Sequence, residues 1–302
     1  MQMMNCPLCG SGDSSLTKRL ESDSLIRKWA DSFQIDISQE FGGQATIELR
    51  QCVNCHLSYF LPKTLAGSPG LYAALQAFDW YYLPRKWEHD AALRELNGCR
   101  RGLEVGCGFG DFVARVAREK GIPFEGCEQN AKAVEVARER GVTVHTENAE
   151  LLAESYPHEY DVVCAFQVLE HVSDPAGFLT ASCKLLRSGG KLILGLPNAR
   201  SFLRHQFNPL DMPPHHMSRW SAEVLKRMQG FFPLKLIRVA YEPLADYHVG
   251  SFVEAYTDVL ARGGLRFLAH PGIRSRVARL IRKSGAQRIL RGQTIYACYV
   301  RL

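Results

Sequence analysis

Three groups of residues in this chain have types and spacings suited to chemistry. Cys6-Pro7-Leu8-Cys9 and Cys52-Val53-Asn54-Cys55 are matched C-x-x-C pairs with 42 residues between them. Each pair is a knuckle whose two thiolates reach one ion, and two knuckles complete the tetrahedral S4 set that zinc prefers. Gly10 lets the chain turn away from the first knuckle without a Cβ clash. A closed, structural zinc is expected on Cys6, Cys9, Cys52 and Cys55; unrelated free-thiol pairs or a redox C-x-x-C are the other readings. The second group is Glu104-Val105-Gly106-Cys107-Gly108-Phe109-Gly110. A glycine turn straight after a strand lets a ligand approach the backbone, and the following helix N-terminus favours negative charge. Position 111 is Asp, so the dinucleotide pattern G-x-G-x-x-G fails at its third glycine. The third group is the segment from Asn208 to Trp220, where Pro213-Pro214 stiffens the loop and Trp220 anchors it. His215 and His216 are then held in fixed positions, and one of them can serve as a general base. Packing, or capping of the helix that begins at Ser221, is the alternative for both. No Asp/His cluster has the spacing of a catalytic magnesium site, which disfavours metal-dependent transfer.

The elements that must position these groups follow from periodicity and stop signals. Leu25–Phe33 is expected to be helical between the knuckles. Trp87 to Leu96 has helical spacing and stops at Asn97-Gly98. Strands are expected at 102–105, 124–128, 142–145, 160–166, 191–196, 234–241 and 294–300. Helices fall at 111–120, from a cap at Asn130 to Gly141, and at 175–186. Regular alternation of strand and helix implies a parallel sheet covered on both faces.

At the glycine loop the sequence resembles the class I S-adenosylmethionine-dependent methyltransferases, over roughly residues 85–198. The resemblance implies an α/β fold, a Rossmann-like seven-stranded sheet, here with a small N-terminal zinc ribbon and a helical insert before the last strand. It implies S-adenosylmethionine as cofactor, held by Glu104, Gly106, Cys107, Gly108 and Gly110, with Glu104 orienting the loop or holding the ammonium group. Glu128, next to Gln129, stands where the family places a carboxylate for the ribose hydroxyls, a task suited to an acceptor-only group. Asn148 and Ala149 align with the adenine-contacting turn, with Asn148 in place of the usual aspartate; its side-chain carbonyl can still accept from the adenine amino group. Phe166 and Gln167 begin the loop near the methionine end, and His171 in that loop is expected to position substrate. The residues Phe166-Gln167-Val168-Leu169 replace the Asp/Asn-Pro-Pro-aromatic motif with which amino-group nucleic-acid methyltransferases hold a flipped base. A small-molecule acceptor methylated on oxygen or carbon, such as a sugar or related metabolite, is therefore expected. An rRNA or tRNA methyltransferase and an inactive cofactor-binding scaffold are the alternatives.

The chain has 302 residues, 46 % of them hydrophobic, and no apolar run long enough to span a membrane. Met1 to Cys9 shows no secretory leader, so a cytoplasmic location is expected. A domain division follows: a zinc-ribbon module at 1–61, a linker with N-terminal helices at 62–97, and the methyltransferase domain at 98–302 with a basic helical insert at 244–292. The net charge is +6, yet the ten basic residues after Asp258 meet no acidic residue, and removing them leaves 27 basic against 31 acidic residues. The basicity is local, which weakens a nucleic-acid reading. Within 273–290, Ile273, Val277, Leu280 and Ile281 recur at helical spacing among arginines. Such a helix packs on the domain with a solvated basic face, touches an anionic membrane surface, or attracts a phosphorylated substrate.

Overall fold

A computed structural model describes residues 5–302. The N-terminal module contributes β1 (Ser14–Glu21), β2 (Thr46–Cys52) and β3 (Ser58–Leu61), with a helix at Ser22–Phe33. The main sheet is built from β4 (Gly102–Val105), β5 (Phe124–Cys127), β6 (Val144–His145), β7 (Tyr160–Phe166) and β8 (Leu186–Pro197). After these come the short β9 (Ser218–Arg219) and two long strands, β10 (Leu234–Pro243) and β11 (Arg291–Arg301). Seven of them form one sheet in the order β10-β11-β8-β7-β4-β5-β6. The five from β4 to β8 run parallel, and β11 and β10 close the edge antiparallel. This is the expected Rossmann-like seven-stranded α/β sheet.

Every residue of β4 and β7 is buried, as a central parallel strand covered on both faces requires. The helix Asp111–Lys120 turns Phe112, Val113 and Val116 into the core. The Asn130 side chain accepts from the N–H groups of Lys132 and Ala133 and so starts the next helix, Ala131–Glu139. The chain order steps outward from β4 in both directions, to β5 on one side and β7 on the other. Ligands of such sheets sit at the carboxyl ends of the strands beside that divergence.

Two boundaries differ from expectation for physical reasons. The strand expected from Lys191 begins at Leu186, because Leu186 pairs with Tyr160 before a register shift resumes at Val162 and Lys191. The basic helix is shorter than 273–290: it spans Pro271–Ser284, where Gly285 takes φ 71° and ends it. Val277 and Ile281 pack on Phe202, Val249 and Val253, whereas Leu280 is 66 % exposed and lies off the apolar face assigned to it. The insert is thus a helical pair, with Val249–Arg262 as the partner helix.

The N-terminal module does not end at its own last strand. β9, which follows the fifth parallel strand in sequence, pairs antiparallel with β3, extending the small sheet to β1-β2-β3-β9. Trp220, fully buried, sits at the junction: its indole N–H donates to Ser218 at 2.9 Å, and its carbonyl accepts from Ala199 N–H at 2.7 Å. Trp220→Ala is expected to cost about 3–5 kcal/mol of stability, measured as a fall in the urea midpoint with unchanged slope.

Candidate active site

A cavity of about 760 Å³ opens at the carboxyl ends of β4, β7 and β8. Its inner end is lined by Glu104, Gly106, Cys107, Phe166 and Gln167. The outer end reaches the 203–212 loops and Tyr247 of the insert. Gly106, Gly108 and Gly110 all adopt positive φ. At Gly106 a Cβ would lie 2.4 Å from Val168 Cγ2, and at Gly108 it would lie 3.1 Å from the Tyr82 ring, so the loop is close to its neighbours as well as left-handed. Glu128, one residue past β5, accepts from Gly108 N–H at 2.9 Å through one oxygen, and from Gln129 and Asn130 N–H through the other. It thereby braces the loop from the neighbouring strand. Gln129 is exposed, and Gly108, Gly110, Glu128, Gln129, Asn148 and Ala149 lie outside the cavity lining. The Asn148 side-chain Oδ1, the group assigned to the adenine amino group, accepts from Leu151 N–H at 2.8 Å and so caps the helix Ala149–Ser155, with its second lone pair left over. Ala149 is buried within that helix's first turn.

Glu104 is buried, and its Oε2 has no hydrogen-bond partner. Burial pushes its carboxyl well above the usual range. A buried carboxylate aimed into a cavity beside a glycine cradle fits the cationic methionine end of S-adenosylmethionine. Gln167 follows β7 with φ 59°, an uncommon conformation for a residue with a side chain, and its amide donates to Glu88 Oε1 at 3.0 Å.

The structure brings His171 to His215 and His216, 44 and 45 residues away in sequence. Ring centroids are 4.4 Å apart for His171 and His215, 4.8 Å for His171 and His216, and 4.6 Å for the stacked pair His215 and His216. His171 Nδ1–H donates to the His215 carbonyl at 2.6 Å, and His215 Nδ1–H donates to the Leu210 carbonyl at 2.9 Å. A carbonyl only accepts, so these contacts assign the tautomers and leave both Nε2 atoms as acceptors. Tyr81 O–H meets His215 Nε2 at 3.2 Å, and Asp211 lies 3.5 Å from His216 Nδ1. Burial lowers His171 to about 4 and holds His215 and His216 well below the ordinary imidazole range, so all three are neutral near pH 7.

Several cavity residues carried no functional signal in the sequence. Trp80, Tyr81 and Tyr82, in the stretch read as a linker, form an aromatic wall, and Tyr82 meets Phe109 of the glycine loop at 4.7 Å. The density of aromatics there was the available sign. Glu88 and Glu170 are buried carboxylates that line the same cavity, and nothing in their local patterns marked them. The four cysteines of the knuckles also converge: Cys6 and Cys55 sulfurs are 3.4 Å apart, those of Cys9 and Cys52 3.5 Å, and all four lie within 4.8 Å of one another. The donor set fits a tetrahedral thiolate site.

Sheet order, glycine cradle and braced carboxylate match the fold expected of class I, S-adenosylmethionine-dependent methyltransferases. A methyltransferase-domain family model matches residues 75–230, and the chain belongs to that family. The chain is 37 % identical over 178 residues to the ubiquinone biosynthesis O-methyltransferase of Thiobacillus denitrificans, covering 53 % of this chain and 75 % of that one. It is 38 % identical over 102 residues to the enzyme of the same name from Sodalis glossinidius, covering 32 % of this chain and 41 % of that one. The chain thus spans less than half the length of that relative. A solved structure of a SAM-dependent methyltransferase from Archaeoglobus fulgidus matches 80 % of this chain and 97 % of its own, at 20 % identity and a TM-score of 0.49.

Glu104→Gln separates the two demands on this carboxyl. Its raised folded-state value means that above about pH 4.3 the folded chain retains a proton the unfolded chain has lost, so stability falls as pH rises through that window. The cofactor-free Gln variant is expected to melt higher than the parent at pH 8, with the gap closing towards pH 4. Calorimetry should show it binding S-adenosylmethionine at least about tenfold more weakly, about 1.4 kcal/mol.

Proposed function

We propose that the protein is an O-methyltransferase of a small, hydroxylated metabolite, with a sugar or related compound as acceptor. The carrying observation is the cluster of His171, His215 and His216 in the same cavity as Glu104, Gly106 and Gln167. Methyl transfer from a sulfonium is an in-line displacement whose electrophile is already activated, so the protein must align the acceptor and exclude water. The oxygen attacks the methyl carbon as the C–S bond breaks, its proton leaves to a base, and S-adenosylhomocysteine departs neutral at sulfur. His215 or His216 supplies the base, and His171 positions the acceptor beside it. The outer cavity, with Asn198, Gln206, Asn208, Gln293 and Thr294, suits an acceptor rich in hydroxyl groups. The names of the curated relatives support oxygen as the acceptor atom.

The four cysteines bind a structural zinc in this reading, within a module at 1–61 that leads through 62–97 into the catalytic domain at 98–302. Contact of the 244–292 insert with an anionic membrane surface belongs to the same proposal. Tyr247, Phe267, Leu280 and Ile289 are each more than 60 % exposed there, and the last three lie among the basic residues that follow Asp258. Among the described residues no helix is long and apolar enough to cross a membrane.

Incubation with methyl-labelled cofactor and a cell extract should place the label on oxygen in a metabolite; label on RNA, or cofactor binding with no S-adenosylhomocysteine formed, overturns the reading. His216→Ala is expected to lower kcat by about 10²-fold while the cofactor Kd stays unchanged. Sedimentation with acidic phospholipid vesicles, but not with neutral ones, tests the insert.

A further inference from the structure

We propose that His171, His215 and His216 form a binding site for a divalent transition-metal ion, separate from the four-cysteine site. One ring nitrogen of each histidine lies within 4.8 Å of the other two. Three imidazoles with a fourth position open to a cavity are a known donor set for zinc, cobalt, iron and manganese. The nitrogens must close to about 3.3 Å from one another to hold an ion at bond lengths of about 2.0–2.1 Å, a movement within reach of side-chain rotation.

Three features distinguish this cluster from ordinary packing. First, His171 and His215 each spend Nδ1–H on a backbone carbonyl, and His216 Nδ1 lies 3.5 Å from the Asp211 carboxylate. Metal-bound histidines are oriented in this way, with the second nitrogen fixed so that the first faces the ion. Second, Glu170 is 1 % exposed, neither of its oxygens has a hydrogen-bond partner, and Oε1 lies 3.9 Å from His171 Nε2. A buried carboxyl with no partner for either oxygen is costly, and a dication among the adjacent imidazoles would favour its ionised form. Third, the backbone is locked around the cluster, because the Glu170 carbonyl accepts from both Met217 N–H at 2.7 Å and Ser218 N–H at 3.1 Å. The Tyr81 hydroxyl, 3.2 Å from His215 Nε2, is the group an entering ion displaces.

The open position faces the cavity shared with Glu104 and Gln167 and suits an oxygen of a bound acceptor. The ion's use in transfer rests on the methyltransferase reading, whereas ion binding does not. A free base and a bound ion need the same nitrogens: added cation should raise turnover if the ion serves transfer and lower it if a free imidazole does.

The test is metal content. The full chain is equilibrated with excess zinc, cobalt or manganese, dialysed, and counted by mass spectrometry, with the cysteine-bound ion as the internal standard of folding. Wild type should retain one more ion per chain than His171→Ala and His216→Gln, and a second cobalt should add d–d absorption without sulfur-to-metal charge transfer. Equal metal content in wild type and both variants overturns the proposal, and so does a second ion that persists in the variants. Methylation by the ion-free chain would leave the proposed function standing, and the metal count alone decides the ion site.

Discussion

The active site depends on a strand pairing of two residues. β9 attaches to β3, and with it the chain between the fifth parallel strand and the next helix becomes part of the N-terminal sheet. Phe60 N–H donates to the Met217 carbonyl at 2.9 Å, Gly67 N–H donates to Pro214 at 2.8 Å, and Trp29 of the first helix places its ring 6.2 Å from His215. On the other side, Glu170 of the loop after β7 holds Met217 and Ser218. The segment with His215 and His216 is thus gripped between two sheets. An isolated loop of this length would lose its geometry to conformational entropy. Here the cost is offset by backbone hydrogen bonds at both borders and by Met212 and Met217 packed into the apolar cluster of the small module.

The electrostatics of the cavity follow from the same enclosure. Burial lowers the imidazoles and raises the carboxyls, and Glu104 Oε2 and both Glu170 oxygens have no protein partner, so the site sets carboxyls in a low-dielectric space beside uncharged bases. Such a site favours a cation. S-adenosylmethionine carries positive charge at both ammonium and sulfonium, and it loses the sulfonium charge on transfer. Binding and reaction therefore pull the local protonation equilibria in opposite directions, with the buried carboxyls ionised most readily while the charged cofactor is present.

Much of the fold was legible because parallel α/β sheets announce themselves locally. β4 and β7 are short and apolar, the glycine loop after β4 runs at once into helical periodicity, and the caps at Asn130 and Ser221 are local signals with local partners. The helix end at Gly285 was set by one backbone conformation that arginine-rich periodicity concealed. The glycine loop was legible, because one contiguous motif carries it. The rest of the cavity was not. There the meeting of His171 with His215 and His216, the wall from Trp80 to Tyr82, and the burial of Glu88 and Glu170 all arise from contacts between segments distant in sequence. The absence of a metal-like Asp/His spacing along the chain therefore did not preclude three histidines from converging in space.

The β3–β9 pairing also limits how this architecture can be recombined. A knuckle module joined to a catalytic domain by a tether could be exchanged between enzymes as a cassette, with substrate choice passing from one host to another. Here the two parts share a sheet, and one of its four strands comes from deep within the other part's sequence. Grafting the module onto a different methyltransferase would need a matching two-residue strand after the fifth parallel strand of the host. Module and histidine loop should therefore diversify together, as one heritable structural unit.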